Sequence, residues 1–507
     1  MSGAVLVIRA FTGGFSIGPV AVGSPLNAQT VFALCLTFLL LLRSEAGPSR
    51  ISGKADWGKH RPILLAAAVA LTAVAFHAAR QVYFLSDDFC LITYTDSYIA
   101  DFPIATSDTF FRPVGYLIVA LISFWAGMDP VLWHIAGAAM HCAATALLFL
   151  LAFRLIGSQW AAFLAAAVFG VHGSRPEAVA WVAGWYDVIA ALFLMAGLWF
   201  FLEEIEKPRW TVRGAALACM VLALLSKETA FVFPPLLPVL LWLEGRLSRG
   251  AAAGLWPYYA VTAAVFAYRW LRLGGIGGYA DVATGEPQFF SSSVLSVVKV
   301  LGARLWTFLY FPVNWSDGRG FLFAGVLLAG IAGCLLLAAS RPDRRKLAAA
   351  AAITLICALP ALHQLLIGPD MEKSRGLYLP SIGFALLLAL AADRLPSARL
   401  KLAAVCLILF FHFAALQHNL AIWGRVSALA KRTCDAAAGC LEPDTGRLVV
   451  EGLPGAIDGV YFFRNCFNEC VALRAGAEVD WRGAYVDGPA LHLYWDAAAE
   501  EIRVRHP

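Results

Sequence analysis

The stretch Pro62-Ile-Leu-Leu-Ala-Ala-Ala-Val-Ala-Leu-Thr-Ala-Val-Ala-Phe-His-Ala-Ala-Arg80 is a long apolar run, and Phe84-Leu-Ser-Asp87-Asp88-Phe89 follows it almost at once. About 20 apolar residues suffice for a helix to cross a bilayer, so the first stretch predicts a membrane span. Two adjacent carboxylates just beyond its end are costly to desolvate. Ionisable residues at a membrane boundary are candidates for function, although a solvated loop at the helix end is the simpler alternative.

The composition of the whole chain is typical of a membrane protein. Of the 507 residues, 60% are hydrophobic and 14% are charged, and the mean hydropathy is +0.71. A soluble domain has about 25% charged residues. The net charge of +5 is small and forms no separate basic tail, so the sequence gives no support to nucleic-acid binding.

The apolar run at 62–80 is one of about 11 along the chain, which predicts an all-α polytopic membrane protein. The predicted spans are 62–80, 131–153, 159–172, 187–202, 214–227, 231–243, 254–271, 321–339, 347–367, 378–392 and 401–417. These spans define a transmembrane domain over residues 62–417. A shorter apolar segment, Val31–Leu42, is a twelfth span, a re-entrant piece or part of an N-terminal extension over residues 1–61.

Lys and Arg are concentrated in every second loop, and the tendency of positive loops to stay inside places those loops in the cytoplasm. Asp87 and Asp88 then face outward, as does everything after Gln417. Several basic residues also lie on the outer side, among them Arg112, Arg175, Lys227 and Arg375. An anionic ligand would explain them because the Arg fork matches phosphate geometry, whereas snorkelling at the interface explains part of them more simply.

Two outer loops are long, covering residues 81–130 and 272–320. Each contains an apolar piece, at 114–127 and at Val294–Phe311. If the first piece crossed the membrane, every later loop would be inverted and the charge pattern would be lost. Both pieces are therefore predicted to be helices that lie in the outer interface.

The last 90 residues, 418–507, are more polar and contain short β-rich runs such as Arg447–Val450, Val460–Phe463 and Leu491–Trp495. They predict a small extracytoplasmic domain of about five strands. Its four cysteines are disulfide candidates if that side is oxidising, with zinc as the alternative: Cys434, Cys440, Cys466 and Cys470. Four cysteines allow three connectivities, of which local pairing, Cys434–Cys440 and Cys466–Cys470, is the simplest. The other seven cysteines, Cys90 included, lie in or beside apolar segments.

Polar side chains recur at the outer ends of the predicted spans. They are His134, His141, His172, Glu177, Asp187, Lys227, Glu228, Arg375 and Tyr378. Each one alone is more simply a packing residue or an ion pair. Their shared depth, which is also that of Asp87 and Asp88, predicts a substrate cavity at the boundary between lipid and water.

Three blocks resemble a known family. The blocks are His172-Gly-Ser-Arg-Pro-Glu177-Ala-Val-Ala-Trp-Val-Ala-Gly-Trp-Tyr-Asp187, Leu224-Leu-Ser-Lys227-Glu228-Thr229 and Arg375-Gly-Leu-Tyr378-Leu-Pro-Ser-Ile-Gly383. They are similar to blocks of GT-C-type glycosyltransferases, in particular protein O-mannosyltransferases and the transmembrane TPR-containing O-mannosyltransferases. The resemblance covers about residues 80–420 and includes the aspartate pair and Arg112-Pro113. Trp185 and Gly173 depart from it, and no TPR repeat follows, as in bacterial members.

The resemblance implies a GT-C-like enzyme of the bacterial inner membrane that takes a sugar from a polyprenyl-phosphate donor. The acceptor is a glycan, lipid or protein on the extracytoplasmic face, and the anomeric carbon is inverted. Asp87 or Asp88 is the expected general base. The leaving phosphate needs cations, for which Arg375 and Lys227 are the first candidates and Arg112 and Arg175 the next. A divalent metal held by Asp87, Asp88 and His172 is possible.

Other functions remain open from the sequence. A flippase or transporter of lipid-linked glycans would also need outer cations, but it predicts polar midplane residues and an internal repeat. The mid-span positions here are Ala, Leu, Val and Phe. A glycan polymerase or ligase and a non-catalytic scaffold are the remaining alternatives.

Overall fold

The computed structural model describes residues 15–17, 20–22, 25–46, 61–102, 106–107, 109–278, 293–316, 320–362, 365–441, 447–476 and 490–504. Within these ranges the protein is mostly helical, with a small sheet near the C-terminus. Parts of the predicted N-terminal extension (1–14, 18–19, 23–24 and 47–60) and of the second outer loop (279–292 and 317–319) lie outside the described residues.

The helices in chain order are α1 (Pro25–Leu42), α2 (Arg61–Ala75), α3 (Asp87–Thr93), α4 (Thr95–Ala100), α5 (Pro113–Ala126), α6 (Pro130–Ile156), α7 (Gln159–Val171), α8 (Pro176–Val179), α9 (Trp185–Glu206), α10 (Trp210–Leu224), α11 (Phe233–Leu243), α12 (Arg249–Ala253), α13 (Trp256–Leu273), α14 (Val294–Lys299), α15 (Leu305–Tyr310), α16 (Gly320–Ala338), α17 (Arg344–Ala358), α18 (Pro380–Asp393), α19 (Ala398–Gly439) and α20 (Phe467–Ala475). Short 3₁₀ turns lie at His77–Gln81, Val182–Gly184, Glu228–Val232, Leu359–Ala361 and Ser374–Leu377, and a π turn lies at Val300–Arg304.

Every predicted span overlaps a helix. Among the described residues, four helical stretches are long and apolar enough to cross a membrane: Arg61–Gln81, Pro130–Ile156, Val182–Glu206 and Ala398–Gly439. The other apolar helices are shorter, so the count of about 11 spans stays a prediction. The predicted span at 347–367 is too long, because α17 ends at Ala358 and Pro360 follows, which cannot continue the helical hydrogen bonds.

Two largely buried helices form the centre of the bundle. In α7 every residue from Leu164 to Val171 is buried, and in α18 every residue from Pro380 to Ala392 is buried. Gly170 brings α7 so close to α2 that an added Cβ would lie 2.0 Å from the Thr72 hydroxyl oxygen. Lipid tails are as apolar as the helix side chains, so the hydrophobic effect does not drive helices together within a membrane. Small residues such as Gly170 allow the close van der Waals packing that does.

Helix α1 belongs to this bundle. The Thr30 and Thr307 hydroxyl oxygens are 2.7 Å apart, and the Phe32 ring contacts that of Phe311 edge-on at 5.9 Å. The apolar segment Val31–Leu42 is therefore a packed part of the helical domain, not a separate extension.

The bundle has a basic end and a mixed-charge end. At the basic end, Arg154 in the last turn of α6 pairs with Glu206 at the end of α9, 2.8 Å away, and Lys346 donates to the Ile156 carbonyl at 2.8 Å. The loops predicted to be cytoplasmic gather there. Helices α6 and α9 begin at the opposite end, where Asp87 and Lys227 lie.

Helix α19 runs through the predicted domain boundary. It has 42 residues, which is about 63 Å at 1.5 Å per residue, and it continues past Gln417 to Gly439. Its last part buries a stripe at helical spacing that includes Leu420, Trp423, Ala430 and Cys434. The charged residues that return after Asn419 lie on the exposed face of α19, opposite this stripe, and so they do not mark the end of the helix.

Two short hairpins lie earlier in the chain, formed by β1 (Phe15–Ile17) with β2 (Val20–Val22) and by β3 (Thr106–Ser107) with β4 (Phe110–Phe111).

The described residues from 447 onward, 447–476 and 490–504, are here called the C-terminal module. Within the module, β5 (Arg447–Glu451) pairs parallel with β8 (Ala490–Asp496), which pairs antiparallel with β9 (Glu501–Val504). Between β5 and β8 in the chain lie a hairpin, formed by β6 (Ala456–Ile457) and β7 (Val460–Tyr461), and then α20. The module therefore contains a helix as well as the strands that the sequence predicts.

The predicted local cysteine pairs are wrong. The disulfides are Cys90–Cys466, with Cα atoms 5.6 Å apart, and Cys434–Cys470, with Cα atoms 6.0 Å apart, and Cys440 is in neither. Both Cα separations are ordinary for a disulfide. Helix α20 packs between α19 and α3, so its cysteines reach partners on those helices and not their neighbours in sequence. This pairing also removes the four-cysteine zinc alternative.

Candidate functional site

Asp88 is the buried member of the aspartate pair, with 1% of its surface exposed. Its Oδ2 accepts a hydrogen bond from the Leu85 N–H at 3.1 Å, and its Oδ1 accepts one from the Ala183 N–H at 2.9 Å. Burial raises the pKa of Asp88 well above its ordinary range, and the two N–H donors offset only part of that rise. Asp88 therefore ties the first outer loop to the segment that precedes α9.

Asp87 is the accessible member of the pair. It is partly exposed, and its Oδ1 accepts a hydrogen bond from the Asn465 side-chain amide at 2.8 Å. In the described part of the chain, its Oδ2 accepts no hydrogen bond. One carboxylate oxygen of Asp87 is thus held in place by the Asn465 side chain, whereas the other is not.

Ser86 sets the direction of the pair. Its φ of 45° lies in a region that side-chain-bearing residues rarely adopt. The strain is held by two contacts to the C-terminal module: the Ser86 N–H donates to the Phe462 carbonyl at 3.1 Å, and its hydroxyl accepts from the Asn465 N–H at 3.2 Å. A strained residue held by its surroundings is a frequent feature of functional sites.

Residues 181–187, here called the junction segment, connect the aspartate pair to three ion pairs, of which two are fully buried. The Trp181 indole N–H donates to the Leu85 carbonyl at 3.1 Å, and the Arg375 guanidinium lies 5.0 Å from the centre of the Trp181 ring. The N–H that reaches Asp88 comes from the same segment. At its other end, Tyr186 lies under the Arg112 guanidinium, and Asp187 pairs with Lys227.

Lys227 and Asp187 form the most buried of these pairs, with 3% of each side chain exposed. An ammonium group has three N–H donors. Asp187 is the one acceptor that the described residues provide, so Lys227 retains donors for an anionic ligand.

Arg112 pairs with Glu228. Its Nε donates to Glu228 Oε2 at 2.9 Å, and a second guanidinium nitrogen contacts the other carboxylate oxygen. The guanidinium also stacks on Phe110, 4.2 Å from the ring centre. Arg269 lies 4.0 Å from the same carboxylate, so two arginines converge on Glu228.

Arg375 pairs with Glu177, and both are buried. The Ser374 hydroxyl donates to the same carboxylate at 3.2 Å. The Arg375 guanidinium lies 5.3 Å from the centre of the Tyr461 ring, which belongs to the C-terminal module. This pair therefore stands between the junction segment and the module.

Arg175, Tyr378 and His141 act as braces inside the bundle. Arg175 is fully buried, donates to the Phe169 carbonyl at 2.8 Å and lies 4.6 Å from the centre of the Tyr378 ring. The Gly170 carbonyl, 3.0 Å from His141 Nε2, can only accept, so His141 Nδ1 accepts from the Tyr378 hydroxyl at 2.7 Å. Each group is thus held by protein contacts inside the bundle, and none of the three makes a hydrogen bond to the aspartate pair within the described residues.

His172 is braced in the same way. Its Nε2 lies 2.9 Å from the Leu309 carbonyl oxygen and its Nδ1 lies 2.9 Å from the Ser174 hydroxyl. Its ring stacks on that of His412 at 4.8 Å. His134 is buried in α6 and makes no hydrogen bond to either aspartate within the described ranges.

The suggested metal ligands do not come together. Among the described residues, the one group of three potential ligand atoms close enough for a single ion is Cys90, Cys466 and Glu469, and its two cysteines form a disulfide. Asp88 and His172 have their ligand atoms committed to protein partners. The donor set Asp87, Asp88 and His172 does not fit a metal ion.

The C-terminal module supplies a part of the site that the sequence did not predict. Asn465, Cys466 and Tyr461 contact the aspartate loop or Arg375, and Arg269 joins the Glu228 pair. One available signal was the position of Cys90, directly after Asp88-Phe89, in a loop predicted on the same side as the module cysteines.

No family model matches the chain. Curated proteins do. A segment of 198 residues is 31% identical to the protein O-mannosyl-transferase Tmtc2 of Drosophila melanogaster and covers 37% of this chain and 20% of that protein. A segment of 95 residues is 36% identical to the human protein O-mannosyl-transferase TMTC1, covering 18% of this chain and 11% of that protein.

Segments of this chain are thus similar to segments of protein O-mannosyl-transferases. This finding confirms the resemblance seen in the three sequence blocks. The matched segments span no more than a fifth of the length of these relatives. Together with the apolar helices, the relationship identifies an integral membrane protein.

Among solved structures, ArnT from Cupriavidus metallidurans aligns over most of the chain. The crystal structure bound to undecaprenyl phosphate aligns with a TM-score of 0.45 at 14% identity and covers 86% of this chain and 93% of ArnT. The apo structure aligns with a TM-score of 0.46 at 14% identity and covers 82% of this chain and 84% of ArnT.

Proposed function

We propose that this protein is a membrane glycosyltransferase that moves a sugar from a polyprenyl-phosphate carrier to a hydroxyl group on the extracytoplasmic face. The observation that carries the proposal is the division of labour within the aspartate pair. Asp88 is buried with both oxygens bound, whereas Asp87 is accessible with one oxygen open. Mannose is the first sugar to test, because the curated relatives are named O-mannosyl-transferases.

In the proposed reaction, Asp87 accepts the proton of the acceptor hydroxyl. The acceptor oxygen forms a bond to the anomeric carbon of the donor, and the bond between that carbon and the phosphate oxygen breaks. The electron pair leaves with the polyprenyl phosphate, and attack from the opposite face inverts the anomeric carbon. A general base of this kind contributes about 10²–10⁴-fold to the rate.

The departing phosphate gains negative charge, and Lys227 is the proposed contact for it. It is buried, it is fixed by Asp187, and its remaining N–H donors have no partner among the described residues. Preorganised cations stabilise charge best where water is excluded. Arg112 is held by Glu228 and Arg375 is held by Glu177. These two arginines are proposed to contribute to the electrostatic potential around Lys227.

The proposed orientation places the aspartate pair and the C-terminal module outside a bacterial inner membrane. It is supported by the concentration of basic loops at the other end of the bundle, where Arg154 and Lys346 lie. The polyprenyl chain would then lie in lipid beside the bundle, and its phosphate would reach Lys227 from the outer leaflet.

A glycan profile tests the proposal. Cells that lack the protein are complemented with wild type, Asp87→Asn or Asp96→Asn, and their surface glycans and lipid-linked sugars are measured. Asp96 is an exposed aspartate on α4 of the same outer loop and is the matched control. We expect Asp87→Asn to lose the same sugar as the deletion and to accumulate its lipid carrier, whereas Asp96→Asn resembles wild type.

The abundance of each variant in the membrane must equal that of wild type. If Asp87→Asn restores the normal profile, the general-base role is wrong. A flippase would instead show the carrier trapped on the cytoplasmic side, and a scaffold would tolerate the Asp87 substitution altogether.

A further inference from the structure

The C-terminal module meets the aspartate loop along one stretch, Phe462–Glu469, here called the docking segment. The Phe463 ring stacks on Phe89 at 6.2 Å, and the Tyr94 hydroxyl donates to Glu469 at 3.1 Å. The Cys90–Cys466 disulfide lies between these two contacts. Apolar, polar and covalent contacts thus all fix the docking segment to the loop that carries Asp87 and Asp88.

Asn465 is the residue of the docking segment that reaches the aspartate pair. Its backbone N–H donates to the Ser86 hydroxyl at 3.2 Å, and its side-chain amide donates to Asp87 Oδ1 at 2.8 Å. The next residue, Cys466, has a φ of 64° and is covalently bound to Cys90. Asn465 therefore has little freedom to move away from Asp87.

We propose that Asn465 is a positioning residue for Asp87, so that the C-terminal module completes the catalytic site and does not simply cover it. The inference rests on the proposed function of Asp87. The Asn465 amide holds Oδ1, which turns Oδ2 toward the acceptor hydroxyl. Without that bond the carboxylate can rotate about its own axis and turn away from the acceptor.

The size of the effect follows from positioning. A displacement of about 1 Å at a reacting group can lower a rate by about 10²-fold. Loss of one orienting hydrogen bond, with the loop still tied by the disulfide, should cost less. We expect kcat to fall by about 10- to 100-fold, while the KM for the lipid donor changes less than about twofold, because Asn465 contacts the base and not the donor.

The test compares three variants of the full-length protein with wild type, using polyprenyl-phosphate mannose as the donor probe. They are Asn465→Ala, the isosteric Asn465→Asp and the matched control Asn468→Ala. Asn468 is an exposed asparagine in the first turn of α20, and its side chain makes no hydrogen bond within the described residues. Asn465→Asp should lose more activity than Asn465→Ala, because it keeps the shape but sets an oxygen against the Asp87 carboxylate. Asn468→Ala should match wild type.

A second measurement needs no substrate. Asp87→Asn combined with Asn465→Asp exchanges the partners and restores one N–H···O bond between the two positions. We expect the midpoint of thermal unfolding, lowered by Asn465→Asp alone, to recover in the combination, while transfer stays absent because the carboxylate is displaced. No recovery of the midpoint would overturn the contact itself.

The outcomes separate the two proposals. If Asp87→Asn is inactive but Asn465→Ala keeps wild-type kcat, the positioning role is wrong and the function of Asp87 stands. If Asp87→Asn is fully active, both are wrong. If Asn465→Asp and Asn465→Ala lose equal activity together with equal thermal stability, Asn465 has a purely structural role and the inference fails.

Discussion

Cys90 and Cys466 are joined by a disulfide although 376 positions separate them. Cys90 follows Asp88 by two residues, and Cys466 directly follows Asn465. The bridge therefore anchors the two ends of the Asp87–Asn465 contact, one in the first outer loop and one in the last module of the chain.

We predict that Cys90→Ser lowers transfer by at least about 10-fold in fully oxidised membranes. The module is then held to the aspartate loop only by non-covalent contacts, and the positioning of Asp87 weakens. Activity of each variant at equal abundance is the measurement. Cys440→Ser, which removes a cysteine outside both bridges, is the control and should leave transfer unchanged.

Asp88→Asn should destabilise the protein by about 1–3 kcal/mol, because an amide can accept only one of the two N–H bonds and turns a donor toward the other. The raised pKa of Asp88 also determines whether the stability of the wild-type protein rises or falls with pH. The pKa of Asp88 is raised above its ordinary value of 3.8 by burial, so the folded state binds this proton more tightly than the unfolded state. Wild-type stability then decreases as the pH rises from about 4 through the raised pKa of Asp88.

The Asn variant lacks that decrease. Thermal unfolding in detergent at several pH values measures both effects. Identical pH dependence of the wild-type and Asp88→Asn midpoints would contradict the role of Asp88 as a buried titrating anchor.

Lys227→Met should abolish transfer and also destabilise the fold by about 3–5 kcal/mol, since Asp187 is left as an unpaired buried charge. Adding Asp187→Leu removes that charge and should recover most of the stability. Transfer should remain absent in the double variant, because the phosphate has lost its cation. Recovery of transfer together with stability would mean that the pair is structural.

The variant Tyr378→Phe distinguishes two roles of the Tyr378 hydroxyl: a structural hydrogen bond to His141 and a contact to the substrate. The sequence analysis assigned Tyr378 to substrate binding, whereas the structure places its hydroxyl 2.7 Å from His141. We expect a loss of about 1 kcal/mol of stability and less than about a threefold change in kcat/KM. A large loss of kcat/KM at unchanged stability would favour the original assignment.

Hydropathy alone located the helices, since each predicted span overlaps one. It failed where a helix is amphipathic rather than apolar throughout: the second half of α19 alternates buried residues such as Trp423 with solvated charges such as Arg425. A search for 20 apolar residues stops at the membrane surface, whereas the helix continues because one face still packs against the C-terminal module.

For the site, the sequence indicated which ionisable residues share a depth but not how they pair. Lys227 was a candidate from its position, yet its partner Asp187 lies 40 residues away on another helix. The contribution of Asn465 had no signal of its own, because an exposed asparagine in a polar stretch is common. Its proximity to Asp87 depends on how the last residues fold back, which local sequence patterns do not encode.

The distance in sequence between Cys90 and Cys466 also imposes an order of events during synthesis. At about 5–20 residues per second, a ribosome needs roughly 20–75 s to proceed from one cysteine to the other across their separation of 376 positions. By the end of that interval all the predicted membrane spans have been made, but until then the aspartate pair lacks its contacts with Asn465 and Cys466. Under the proposed function, a newly inserted chain would thus remain inactive until the segment with Asn465 and Cys466 has been made, exported and oxidised.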